Sequence, residues 1–76
     1  MNEKFVRLVE TTLDRPAGSV RMEDEFRKYA EWDSMAYMAL VAMIDQEFGV
    51  LISPEEIRKL QTLRDLLAHV EAHKGA

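Results

Sequence analysis

Two groups of side chains in this 76-residue chain have types and spacings that could do chemistry. The first is Ser34 in Trp32-Asp33-Ser34-Met35, followed at once by the uncharged run Ala36 to Ile44. A hydroxyl where a polar connection meets a hydrophobic helix is exposed and lies at the positive end of the helix dipole, where it can carry a phosphate at low electrostatic cost. Taken alone, Asp-Ser before a helix also fits a plain N-cap. A self-activated hydrolytic serine fits poorly, because both histidines lie near the C-terminus and there is no Gly-x-Ser-x-Gly elbow. The second group is His69 and His73, four apart, a spacing that can chelate a metal. The intervening Val70-Glu71-Ala72 does not complete His-Glu-x-x-His, and the sequence presents no third ligand. The expectation is therefore a solvated pair near a helix C-terminus, where positive charge is favourable, and no metal.

A chain this short forms one domain, spanning residues 1–76, and buries roughly 60% of its unfolded surface. Hydrophobic residues make up 47% of it and only 3 residues are glycine, which suits a compact helical core. So small a domain has little room for a nucleophile, a base, an oxyanion hole and a cleft, so a binding or carrier module is expected rather than an enzyme. The net charge of −4 opposes phosphate backbones and anionic lipid, which argues against nucleic acid and membrane surfaces and for a basic protein partner. The absence of cysteine excludes disulfides, thiolate metal sites and thiol catalysis by the chain itself. Met1-Asn2-Glu3-Lys4 opens no secretory segment, and the longest apolar run, Met35 to Ile44, is too short to cross a bilayer, so a cytoplasmic protein is expected.

Four helices must position Ser34. Asn2 is a candidate N-cap for the first, in which Phe5, Leu8, Val9, Thr12 and Leu13 fall at helical spacing, Val6 widens the stripe, and Lys4, Arg7 and Glu10 are expected to face water. Asp14-Arg15-Pro16-Ala17-Gly18-Ser19 stops it. The long connection from Ser19 to Asp33 carries Val20, Met22, Phe26, Tyr29 and Trp32, which predict a segment pinned along the core with a helical turn between Met22 and Tyr29. The second helix is predicted from Ser34 to about Phe48, closed by Gly49. Because it is apolar all round, and so small a domain cannot cover a helix on every side, part of it should remain as a partner-facing patch. Val50-Leu51-Ile52 has no second strand to pair with. Ser53-Pro54-Glu55-Glu56 opens a short third helix with a capping box, placing Ile57 and Leu60 inward. Thr62 and Asp65 cap a fourth, whose inward stripe is Leu63, Leu66, Leu67 and Val70, ended by Lys74-Gly75. The fold class is all-α: a small four-helix bundle with a long first loop and a short third helix.

Asp33-Ser34-Met35 resembles the Asp-Ser-Leu signature of acyl and peptidyl carrier proteins, and the likeness extends over nearly the whole chain. Glu47-Phe48-Gly49-Val50 is similar to that family's acidic-Phe segment, Ile52 to its apolar residue before the third helix, and Ser53-Pro54-Glu55-Glu56-Ile57 and Leu60-Gln61-Thr62-Leu63 to its later landmarks. The resemblance implies that Ser34 bears a covalent 4'-phosphopantetheine arm, attached from coenzyme A by a phosphopantetheinyl transferase that uses a divalent metal. It implies that Asp33 flanks the phosphate and helps the transferase arrange that metal, and that Met35 replaces the common leucine as a contact residue. The arm's thiol would hold an acyl or aminoacyl group as a thioester, while the protein supplies an address and a high effective concentration.

Partners implied by the likeness are acyl- or aminoacyl-loading and condensing enzymes, visited by what should be a monomer. Where many fatty-acid carriers place acids after the serine, this chain has Ala36 and Ala39. Apolar contact through Met35, Met38, Ala39 and Ala42 should therefore weigh more, beside the acids Glu31, Asp33, Asp45, Glu47, Glu55 and Glu56. Glu31-Trp32 before the Asp-Ser looks more like discrete carriers of polyketide, nonribosomal peptide or acyl-sugar assembly than like those of fatty acid biosynthesis. Methionine's pliability in Met35, Met38 and Met43 leaves open a bundle that parts to shelter an acyl chain. The competing reading is a small helical adaptor that docks its apolar second helix in a partner's groove, with Ser34 only a cap.

Overall fold

The structure, a computed structural model, describes residues 2–74. Its elements are α1 (Asn2–Thr12), a single 3₁₀ turn (Phe26–Lys28), α2 (Ser34–Phe48), α3 (Pro54–Lys59) and α4 (Leu63–His73), with no strand among the described residues. The all-α bundle with a long first loop and short third helix is thus observed. Asn2, expected as the cap of α1, is its first helical residue instead. The expected stop at Gly75 lies outside the described residues, and Lys74 is the C-cap of α4.

α1 buries Phe5 and Val9, with Val6 and Leu8 half-buried beside them, and Leu13 is buried just past its end. Phe5 packs on Phe48 at 6.1 Å between ring centroids, which joins α1 to the far end of α2. Glu10 corrects the expected polar face of α1. It is 7% exposed, and its Oε2 accepts from the Gly18 amide at 2.9 Å and the Val20 amide at 3.3 Å. The carboxylate takes the place of water for the part-buried Gly18 amide and gives the buried Val20 amide a partner.

The connection from Leu13 to Asp33 is folded onto the core. Val20, Met22 and Phe26 are buried, while Tyr29 and Trp32 are half-buried against the same cluster. The helical turn expected between Met22 and Tyr29 shrinks to the 3₁₀ segment at Phe26–Lys28, because charged residues leave too few inward positions to sustain an α-helix. Backbone bonds tie this loop to the start of α4, with the Leu63 amide donating to the Asp24 carbonyl at 3.0 Å and the Arg64 amide to the Met22 carbonyl at 2.8 Å. The Cα radius of gyration, 11.2 Å, is close to the roughly 11 Å of a compact chain of this length, so the loop adds nothing to the molecule's span.

α2 is apolar on every side but is buried on only one. Leu40, Met43 and Ile44 face the core, and Gly49, at φ 70°, closes the helix with its amide on the Asp45 carbonyl. Val50 and Ile52 turn in and Leu51 turns out, an extended alternation in a segment that pairs with nothing. Both expected capping boxes form, Ser53 with Glu56 on α3 and Thr62 with Asp65 on α4. Ile57 is buried and Leu60 half-buried, and Leu63, Leu66, Leu67 and Val70 complete the core.

Candidate functional site

The site is built at the corner where the first loop enters α2. Asp33 is the N-cap: its backbone is extended, and its Oδ1 accepts from the Ala36 amide at 2.8 Å. Its carbonyl accepts from the Tyr37 amide at 2.9 Å, the first α-helical bond of α2. Since aspartate fills the cap, Ser34 is the first helical residue. It is exposed, and its hydroxyl makes no hydrogen bond to the described residues. The serine therefore has no capping duty, which removes the plainest structural reason for it.

Aromatic packing fixes this corner. The Trp32 ring meets Phe26 edge-on at 5.4 Å and Tyr37 at 6.4 Å, so the residue two before Ser34 is anchored to the core and to the first turn of α2. Beside Ser34 lies a groove of about 270 Å³ lined by Arg27, Trp32, Tyr37, Pro54, Ile57 and Arg58 together with Asp33 and Ser34 themselves. Its walls thus come from the 3₁₀ turn, α2 and α3. Arg27 is held in place by donating from Nη2 to the Leu60 carbonyl at 2.8 Å. The two guanidinium groups and the helix N-terminus favour an anion at the serine. No imidazole lines the groove.

Sequence reasoning did not assign Arg27, Tyr37 or Arg58 to the site, and it read Ile57 only as an inward residue and family landmark. No spacing pattern connects a loop arginine with one on α3, and only the fold brings them together.

The expected partner-facing residues separate into two sets. Met35, Met38, Ala39 and Ala42 are all exposed, at 78% and 65% for the two methionines. Their positions i, i+3, i+4 and i+7 form one continuous stripe on the outer side of α2. Leu51, 75% exposed, is a further outward apolar residue that the sequence reading did not assign to the surface. The acids differ more. Asp45, Glu47 and Glu55 are exposed. Glu31 accepts from Arg15 Nη1 at 2.7 Å, and Arg15 in turn lies 4.0 Å over the Tyr29 ring. Tyr29 donates its hydroxyl to Asp24 at 2.8 Å, and burial, reinforced by that bond, pushes its phenol pKa well up.

Glu56 is half-buried and committed within the chain: its Oε1 accepts from the Ser53 amide at 2.9 Å, and its Oε2 lies 3.4 Å from His69 Nε2. This last contact sets a carboxylate of α3 beside the histidine pair, a neighbour that the sequence did not present.

Comparison with known proteins bears on what this corner does. The family described as phosphopantetheine attachment site matches residues 3–70. The chain is 31% identical over 72 residues, 95% of each chain, to an acyl carrier protein of Helicobacter hepaticus. It is 29% identical over 73 residues to one of Solidesulfovibrio magneticus, covering 96% of this chain and 94% of that one. Among solved structures, a holo acyl carrier protein from Geobacter metallireducens superposes with a TM-score of 0.76 over 92% of this chain and 80% of its own, at 18% identity, which is a likeness of fold. The four-helix fold is shared with that acyl carrier protein. The chain belongs to the phosphopantetheine-binding acyl carrier protein family, and its cofactor is accordingly a covalently held phosphopantetheine. Among the described residues no helix is long and apolar enough to cross a membrane.

Proposed function

We propose that Ser34 is the attachment point of the 4'-phosphopantetheine arm and that the chain holds acyl or aminoacyl intermediates for partner enzymes. The observation that carries this reading is an exposed hydroxyl on the first helical residue of α2, released from capping by Asp33. The residues present suit the group. A phosphodiester on the Ser34 oxygen would lie at the positive end of a fifteen-residue helix that has no acidic residue in its first turn. Arg27 and Arg58 in the adjoining groove supply balancing charge, and Trp32 and Tyr37 offer apolar walls to an arm resting there. When bound, the arm supplies a terminal thiol for thioester chemistry, and the catalytic groups belong to the partners.

The chain's own residues give access and address. Ser34 presents its oxygen to a phosphopantetheinyl transferase, and Asp33 holds the helix start rigid while offering its second carboxylate oxygen. Loading and condensing enzymes would dock on the apolar stripe of Met35, Met38, Ala39 and Ala42, flanked by Glu55 on α3. This surface also accounts for the exposed apolar face on which an adaptor reading would rest. A cytoplasmic monomer that visits successive partners is the arrangement this role requires.

The test is intact-mass spectrometry after incubation with coenzyme A, Mg²⁺ and a broad-specificity transferase. The expected result is addition of a single arm to the wild-type chain and none to Ser34→Ala. An unmodified wild-type chain, or an arm that persists in Ser34→Ala, overturns the assignment.

A further inference from the structure

The cluster of Glu56, His69 and His73 lies outside the serine corner and has no part in the function proposed above. It joins two elements. Glu56 belongs to α3, and the histidines occupy successive turns of α4 near its C-terminus. One ligand atom from each residue lies within 4.8 Å of the other two. The imidazole rings stack at 4.2 Å between centroids, 27° from parallel.

Each ligand is oriented by a hydrogen bond or a contact of its own. His73 Nδ1 lies 2.8 Å from the His69 carbonyl, which can only accept, so the ring proton sits on Nδ1 and Nε2 is left with a free lone pair. Glu56 Oε1 accepts from the Ser53 amide, so the carboxylate is fixed while Oε2 points at His69 Nε2, 3.4 Å away. An ion pair of Glu56 with His69 would explain that one contact. It would not require a second imidazole within the same 4.8 Å.

We propose that Glu56, His69 and His73 form a binding site for a divalent transition-metal ion of the Zn²⁺ type. Two imidazole nitrogens and one carboxylate oxygen are a donor set that zinc and its neighbours accept and that Mg²⁺ and Ca²⁺, which take oxygen ligands, do not favour. The three ligand atoms lie within 4.8 Å of one another, so closing on an ion requires side-chain adjustment, and the His73 ring is exposed. The negative end of the α4 dipole adds attraction for a cation. Remaining coordination positions face solvent and take water. The ion would tie α3 to the last turns of α4. Because α3 also contributes Pro54, Ile57 and Arg58 to the groove beside Ser34, the tie would stiffen one wall of that groove.

The test uses the tag-free, unmodified 76-residue chain titrated with ZnCl₂ by calorimetry, with thermal unfolding and imidazole ¹⁵N shifts as further readouts. Expected are one equivalent of bound Zn²⁺, a rise in the unfolding midpoint as binding to the folded state requires, and shifts at both histidines. His73→Ala, a change at an exposed side chain with folding checked by circular dichroism, should bind at least roughly tenfold more weakly, as should Glu56→Gln. MgCl₂ at the same concentration should leave the midpoint unmoved. Absence of Zn²⁺ binding, binding undiminished in both variants, or an equal response to MgCl₂ would each overturn the proposal.

Discussion

The Asp33 carboxylate accepts from the Ala36 amide at 2.8 Å and stands beside Ser34, the proposed attachment point, so on that proposal a structural and a functional role coincide in one side chain. Asparagine separates them, since it caps a helix as well as aspartate does but carries no charge. Asp33→Asn is expected to unfold at the same urea midpoint as wild type yet to accept the arm at least about tenfold more slowly in a transferase time course, because it lacks the charge that would orient the transferase's metal. Asp33→Ala should in addition lose about 1 kcal/mol of stability. Equal loading rates for wild type and Asp33→Asn would reduce Asp33 to a cap. Glu10 marks the limit of reading single residues from a pattern. On a helical wheel it belongs to the wet face, and only the return of the loop, with Gly18 and Val20 presenting their amides, makes a buried carboxylate favourable there.

At the scale of elements, α2 carries two apolar stripes at helical spacing. Leu40, Met43 and Ile44 enter the core, while Met35, Met38, Ala39 and Ala42 remain outside. Met38→Glu should leave the unfolding free energy within about 0.5 kcal/mol of wild type, as for other exposed positions. It should slow transfer from the loaded arm to a condensing enzyme, read as product formed against carrier concentration. The capping boxes of α3 and α4 lead to a pH dependence. Hydrogen bonds from Ser53, backbone first, hold the Glu56 carboxyl below its ordinary 4.5, and the Thr62 and Gln61 amides hold Asp65 below its ordinary 3.8. Both groups bind protons less readily in the folded state. Their contribution is therefore complete above the ordinary values, declines as pH falls below them, and is gone once pH passes the lowered folded values. The thermal midpoint of Glu56→Gln/Asp65→Asn, which keeps acceptor oxygens in both boxes, should fall less steeply than wild type between pH 5 and pH 2.

At the scale of the whole molecule, the first loop works as a structural layer. Phe26, fully buried, supports the Trp32 ring, which in turn supports Tyr37 and the start of α2. Phe26→Ala is expected to cost about 3–5 kcal/mol. That is a large part of the roughly 4–11 kcal/mol available to a domain of this size. Urea unfolding would show the loss, and at temperatures where the variant is still folded, reduced arm loading would show that the serine corner depends on the loop behind it. Unchanged loading in a folded Phe26→Ala would mean that the corner is self-supporting.

Local chemistry was enough to mark both ends of α2 and the starts of α3 and α4. The Asp-Ser entry to α2, Gly49 at its end, and the boxes at Ser53 and Thr62 act within four residues, so the chain states them directly. The serine was legible for the same reason, as its exposure and field follow from the helix that begins at it. Contacts between distant segments were not legible. Which stripe of α2 meets the core, the burial of Glu10, the pairing of Arg27 with Arg58 across one groove, and the meeting of Glu56 with His69 and His73 depend on how helices pack. That packing is set by the summed burial of many side chains, a quantity that no local spacing encodes.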